Sequence, residues 1–233
     1  MKAILHISLL ILFSVFHQYK GLAQVEKRPV VQVKTLVTDF ENHIRKGEQI
    51  YFVNIQSGTI FKAISNEYGK FDIDLPYGAT YSIKIKSIGQ AHDYNELAIK
   101  PYKEGEGFAY MELTILFEHP KYITLENVYF DTGKATLNRK SFVELNELVE
   151  FMRLKEDLKI EISGHTDNVG EAEDNLLLSQ NRANTVRRYL ISKNISADRI
   201  VAVGYGESQP VESNESADGR QKNRRTAVKF LED

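Results

Sequence analysis

Asp167 and Arg182 stand fifteen residues apart in the segment from Ile160 to Arg188, IEISGHTDNVGEAEDNLLLSQNRANTVRR. An apolar run leads into a polar turn, Gly164-His165-Thr166-Asp167-Asn168, and then into a helix-forming stretch that carries Arg182. That order places a carboxylate at the end of a strand and a guanidinium on the helix that follows. A free carboxylate facing a free guanidinium suits a zwitterion: the carboxylate takes an ammonium, and the guanidinium takes a carboxylate through its planar fork.

Other constellations are poorer. His165 with Asp167 suggests a metal or an acid–base pair, but no third ligand stands at usable spacing. His165 is expected to satisfy the backbone of its turn. Ser163 and Ser179 with His165 do not make a nucleophile elbow. The chain therefore reads as a non-enzyme with no cofactor and no metal. Arg220, Lys222, Arg224 and Arg225 form a basic cluster that could meet an anionic glycan or nucleic acid.

The elements that must position Asp167 and Arg182 follow from periodicity. Ile123–Phe130 reads as a strand. Phe142, Leu145, Val149 and Met152 recur at helical spacing, with Asn138 or Ser141 as a cap. Leu158–Ser163 is a second strand. Ala183, Val186 and Leu190 form the inner stripe of a helix beginning near Asn175. Ile200–Val203 and Thr226–Phe230 are the last strands. The order β-α-β-α-β-β predicts a two-layer α/β sandwich over residues 119–233. The polar segment 213–222, SNESADGRQK, is expected to be mobile.

From Val30 to Phe117 the period is two. Val31-Val33, Ile50–Ile55, Phe71-Ile73-Leu75, Tyr81-Ile83-Ile85 and Met111-Leu113-Ile115 read as short strands. Gly58, Gly69, Pro76-Tyr77-Gly78 and Gly89 punctuate them. Residues 24–118 are thus expected to form a small antiparallel β-sandwich, and the chain as a whole is of the α+β class. His43 and His92 read as solvated loop residues. Asp72 and Asp74 lie on one side of a strand, which suits either a calcium site or a solvated face, the second being the simpler expectation.

The chain has 233 residues, a net charge of −2 and no cysteine. Near-neutral charge argues against a dedicated nucleic-acid binder. Lys2, an apolar run from Ala3 to Phe16 and the small residues of Gly21-Leu22-Ala23 describe a secretory signal peptide over residues 1–23, cleaved after Ala23. The run is too short for a membrane span, and no later stretch is apolar enough to be one. Export makes nucleic acid an implausible partner.

In the second half, Val128-Tyr129-Phe130-Asp131-Thr132-Gly133, Leu137, Gly164-His165-Thr166-Asp167-Asn168-Val169-Gly170, Asn175, Leu178-Ser179, Arg182-Ala183, Gly204-Tyr205-Gly206-Glu207 and Asn223-Arg224-Arg225 occur in order. Together they resemble the C-terminal domain of the OmpA family, shared with the peptidoglycan-associated lipoprotein and flagellar stator proteins, over residues 119–233. The chain departs from OmpA itself in having no transmembrane barrel, and from the lipoprotein branch in having no lipid-bearing cysteine. Residues 30–90 resemble a carboxypeptidase-regulatory-like, transthyretin-like β-sandwich.

The resemblance implies non-covalent binding of peptidoglycan through the diaminopimelate of its stem peptides. Asp167 and Arg182 map onto the family's ligand-binding aspartate and arginine. Asp131, Thr166 (through its backbone N–H), Asn175 and Leu178 are the supporting ligand-binding residues. Arg224 or Arg225 is expected to brace the loop. The expected role is to tether the wall to the cell outer membrane or to an envelope partner held by the first domain. The alternative is an envelope interaction scaffold that works through the β-sandwich without binding the wall. The expected location is the periplasm, with outer-membrane association possible through that partner.

Overall fold

The computed structural model describes residues 6–8, 29–88, 91–105, 110–131 and 133–231. The leader expected over residues 1–23 and the turn at Gly89 lie outside them, apart from His6–Ser8. The chain divides into two compact units, residues 1–118 and 119–233.

The first unit holds β1 (His6–Ser8), β2 (Val30–Thr38), β3 (Gln49–Asn54), β4 (Ile60–Ile64), β5 (Lys70–Pro76), β6 (Ala79–Lys86), β7 (Ala91–Ile99) and β8 (Met111–Leu116). They form two sheets, in the orders β1-β8-β2-β5 and β4-β3-β6-β7. Alternate residues of both sheets, among them Val33, Phe52, Leu75, Ile83, Leu97 and Ile115, share one apolar core. Period-two alternation produces this directly, since successive side chains leave a strand on opposite faces.

Three features depart from the sequence reading. β4 and β7 are additional strands, and both are edge strands, β4 alternating exposed with half-buried residues along its length. β2 and β8 pair in parallel, from Val33↔Met111 to Thr38↔Leu116, so the unit is not wholly antiparallel. A parallel pair needs a crossover, and the strands between β2 and β8 supply it. His92 lies in β7 rather than in a loop, whereas His43 is an exposed loop residue as expected, its Nδ1 3.0 Å from the Asp39 carboxylate. Asp72 and Asp74 are exposed on β5, opposite Lys34 and Gln32 of β2.

The second unit holds β9 (Tyr122–Thr124), α1 (Phe142–Leu154), β10 (Lys159–Gly164), α2 (Ala172–Ser192), β11 (Ile200–Gly204), α3 (Ala217–Asn223) and β12 (Thr226–Leu231). The sheet order is β11-β10-β12-β9. β10 runs parallel to β11 and antiparallel to β12. Buried Ile160 and Ile162 of β10 lie beneath α2, whose inward residues Ala183, Val186 and Leu190 are fully buried.

The first strand is shorter than its alternation suggested. β9 stops at Thr124, and Phe130 meets Leu137 only as an isolated bridge. Side chains replace the ladder between them. The buried Glu144 carboxylate accepts the N–H groups of Glu126 and Asn127 (3.2 and 2.6 Å), and Ser141 Oγ accepts that of Tyr129.

The segment expected to be mobile is also built. Residues 217–223 form α3, capped where Ser216 Oγ accepts Gly219 N at 2.9 Å. Asn223, fully buried, accepts the N–H groups of Val211 and Glu212 and donates to Glu212 O and Asn214 Oδ1. A polar composition thus orders itself by satisfying its own backbone.

α2 begins three residues before Asn175, at Ala172, with Glu173 and Asp174 in its first turn, where acidic side chains complement the helix dipole. It also pins the edge strand β11. Gln180 donates to Ala202 O (3.0 Å) and accepts from Gly204 N (2.9 Å), while Arg187 donates to Ile200 O and Ala197 O. The β10-α2-β11 connection leaves the carboxyl ends of two parallel strands side by side, the place where open α/β units bind ligands.

Candidate functional site

β10 ends at Gly164, where only a glycine fits. A Cβ there would stand 2.3 Å from Ser179 O, and one on Gly204 would stand 2.3 Å from Gln180 N. These glycines let α2 close onto both strand ends. The loop that follows is stitched to both neighbours of β10: His165 N donates to Arg225 O (3.0 Å) and Thr166 N to Gly206 O (2.9 Å). The His165 ring stacks on Tyr205, with centroids 5.4 Å apart and planes 13° apart. Its Nδ1 is buried without a partner, so the ring does not satisfy the turn as the sequence reading expected. Burial, with the Arg225 charge adding to it, pulls His165 down to about 4, so the ring is neutral at neutral pH.

Asp167 sits at the centre of this loop, 7% exposed. Its Oδ1 accepts Val169 N at 3.2 Å, and its Oδ2 accepts Arg224 Nη1 at 2.5 Å. The carboxylate is therefore not free. Asn175, on the first turn of α2 and buried, donates through Nδ2 to Asp167 O, Val169 O and the Glu207 carboxylate (3.3, 3.2 and 2.8 Å). It is a loop brace inside the helix.

Arg182 lies seven residues further along α2, half-buried. Its Nε donates to Lys134 O at 3.0 Å, and its guanidinium lies over the Phe130 ring at 5.1 Å. Among the described residues its two Nη groups have no partner. Burial lowers its pKa, the Arg224 charge lowers it further, and the Asp167 charge partly offsets both. These three charged groups are thus close enough to act on one another, and an arginine stays charged throughout.

The remaining expected residues fall around this cluster. Asp131 is exposed in the turn that ends at Lys134, its carbonyl accepting Lys134 N at 2.9 Å. The same turn supplies the carbonyl that holds Arg182. Leu178 is half-buried one helical turn before Arg182 and so shares its face. Thr166 departs from expectation, because its backbone N–H is already spent on Gly206. Its Oγ1, by contrast, is buried without a partner.

The sequence reading left open whether Arg224 or Arg225 braces the loop; the structure uses both, differently. Arg224 reaches Asp167, and its other Nη donates to Gln221 Oε1. Arg225 donates to Gln209 O at 3.1 Å. Glu207, which anchors Asn175, carried no signal beyond its place in a Gly-Tyr-Gly-Glu run.

The loop, Arg182 and Arg224 lie in a stretch that matches a known family. Residues 129–224 match the OmpA family, so the chain carries an OmpA family domain in its second unit. Outer membrane porin F of Pseudomonas fluorescens is 39% identical over 99 residues, 42% of this chain and 30% of that porin. The peptidoglycan-associated lipoprotein of Buchnera aphidicola subsp. Baizongia pistaciae is 38% identical over 101 residues, 43% of this chain and 58% of that lipoprotein. The matched stretch thus spans between about a third and three fifths of these relatives' own lengths. The crystal structure of the peptidoglycan-associated lipoprotein from Burkholderia pseudomallei is similar at 29% identity and a TM-score of 0.42, over 45% of this chain and 88% of that one.

Proposed function

We propose that this protein binds peptidoglycan non-covalently, through the free end of the diaminopimelate in its stem peptides. The observation that carries the reading is that Asp167, beyond the carboxyl end of β10, and Arg182, on the helix that follows, lie close enough to act on one another in a stretch that matches the OmpA family. The far ammonium of diaminopimelate goes to Asp167. Its far carboxylate goes to the open Nη groups of Arg182 as a two-point contact. Leu178 packs on the aliphatic chain, Asp131 lines the site, and Thr166 and Asn175 hold the loop. Each charged contact contributes about 1.5–3 kcal/mol. Modest affinity per site suffices because the wall is a polymer offering many sites.

Residues 1–23 act as a secretory signal in this reading, which puts the protein in the periplasm. Residues 24–118, a regulatory-like β-sandwich, hold an outer-membrane or periplasmic partner, and residues 119–233 tether it to the wall. The protein binds the wall without cleaving it. A peptidoglycan-associated lipoprotein among the relatives supports the ligand class.

The direct test is co-sedimentation with insoluble peptidoglycan sacculi, with free diaminopimelate as competitor. Wild type should sediment and be released by the amino acid. Asp167→Asn and Arg182→Ala should each weaken binding about tenfold or more, the worth of one charged contact. Arg182→Lys should also be impaired, since an ammonium cannot reproduce the fork. Unchanged binding in these variants would sink the proposed site. No sedimentation even at low salt would favour the scaffold reading, and release of soluble muropeptides by wild type would make the protein an enzyme.

A further inference from the structure

Asp167 is already occupied. Both of its oxygens accept hydrogen bonds, one from Val169 N and one from Arg224. An ammonium arriving at this carboxylate meets a guanidinium that holds the same oxygen. The two arginines of the cluster are held in unlike ways. Arg182 is anchored by a backbone carbonyl and lies on an aromatic ring. Arg224 has a side chain 40% exposed, and its second contact is to exposed Gln221, three residues before it. Surface contacts of that kind are weak, so what chiefly holds Arg224 is its ion pair with Asp167, the same carboxylate that a ligand ammonium would take.

The charge balance follows. With Arg224 on Asp167, two guanidinium groups face one carboxylate, and the cluster is suited to a lone anion. With Arg224 away, one carboxylate and one guanidinium remain, and the cluster is suited to a zwitterion. We propose that Arg224 is a built-in competitor for the ligand's ammonium at Asp167, displaced when a zwitterion binds, so that it sets how strongly the site prefers a zwitterion to a simple carboxylate. This rests on the wall-binding reading above, and adds a specificity residue to it.

Two probes test it in purified protein by calorimetry. One is diaminopimelate blocked at one end as the N-acetyl amide. The other is the same molecule with its far amine replaced by hydrogen, leaving only the far carboxylate. The quantity read is the ratio of the two Kd values, second probe over first. Because both are measured in the same variant, a general loss of folded protein cancels. Arg224→Gln should raise the ratio about tenfold, the scale of one charged contact. Arg224→Lys, which keeps the charge, should stay near the wild-type ratio. Asp167→Asn should bring the ratio to about one. A ratio unchanged or lowered in Arg224→Gln overturns the competitor role while leaving wall binding intact. Failure of wild type to bind either probe removes the wall-binding reading and this inference together.

Discussion

His165 shows how one buried side chain ties the site to pH. Packed on Tyr205 and cut off from water, its ring stays neutral down to about 4, against an ordinary value of 6.5. In the unfolded chain it protonates as pH falls through 6.5; in the fold it does not until about 4. The unfolded state therefore binds the extra proton between those values, and stability falls as the solution is acidified across that window. The loss reaches at most about 3 kcal/mol, since a tenfold difference in proton affinity between the two states corresponds to about 1.36 kcal/mol. Thermal melts between pH 7 and 4 should show a falling midpoint for the second unit. His165→Phe, which keeps the stack, should remove His165's part of that slope. An unaltered slope in the variant would show that other groups set it.

Among the elements, the contact of α2 with the ends of β10 and β11 depends on two glycines. Gly164 and Gly204 leave no room for a methyl group, since the nearest backbone atoms would lie 2.3 Å from it. Gly164→Ala and Gly204→Ala must push helix and strand apart, and overpacking of this kind costs about 1–3 kcal/mol or more. Gly170 offers the control. It has φ +98° in open space, so an alanine there meets backbone strain alone, about 1–2 kcal/mol. Urea unfolding should rank the two close-contact variants as the less stable. Wall binding should fall with them, because the same helix carries Asn175 and Arg182. Equal stability of all three variants would mean that α2 can retreat freely from the sheet.

At the scale of the whole molecule, the chain divides into two compact units. If the tether reading holds, residues 119–233 expressed alone should sediment with sacculi as well as the full chain does. Residues 24–118 alone should stay in solution. Sedimentation of residues 24–118 instead would move the wall contact to the first unit and leave the second without its assigned role.

Much of this was legible in the linear chain. Alternation marked the central strands of the first unit, because a residue's face in a strand is decided by its parity. Helical spacing marked α1 and the inner stripe of α2 for the same local reason. The order of polar motifs marked the loop that carries Asp167 and the helix that carries Arg182. Tertiary structure alone decided who touches whom. Asp167 meets Arg224 across 57 residues of chain, and Thr166 spends its N–H on Gly206. β9 gives way to a segment held by Glu144 and Ser141, and α3 forms where composition suggested mobility. Each is a hydrogen-bond choice between groups distant in sequence or poor in apolar signal. Periodicity reports which side of an element is buried, but only the folded chain, with every buried polar group seeking a partner, settles which partner it finds.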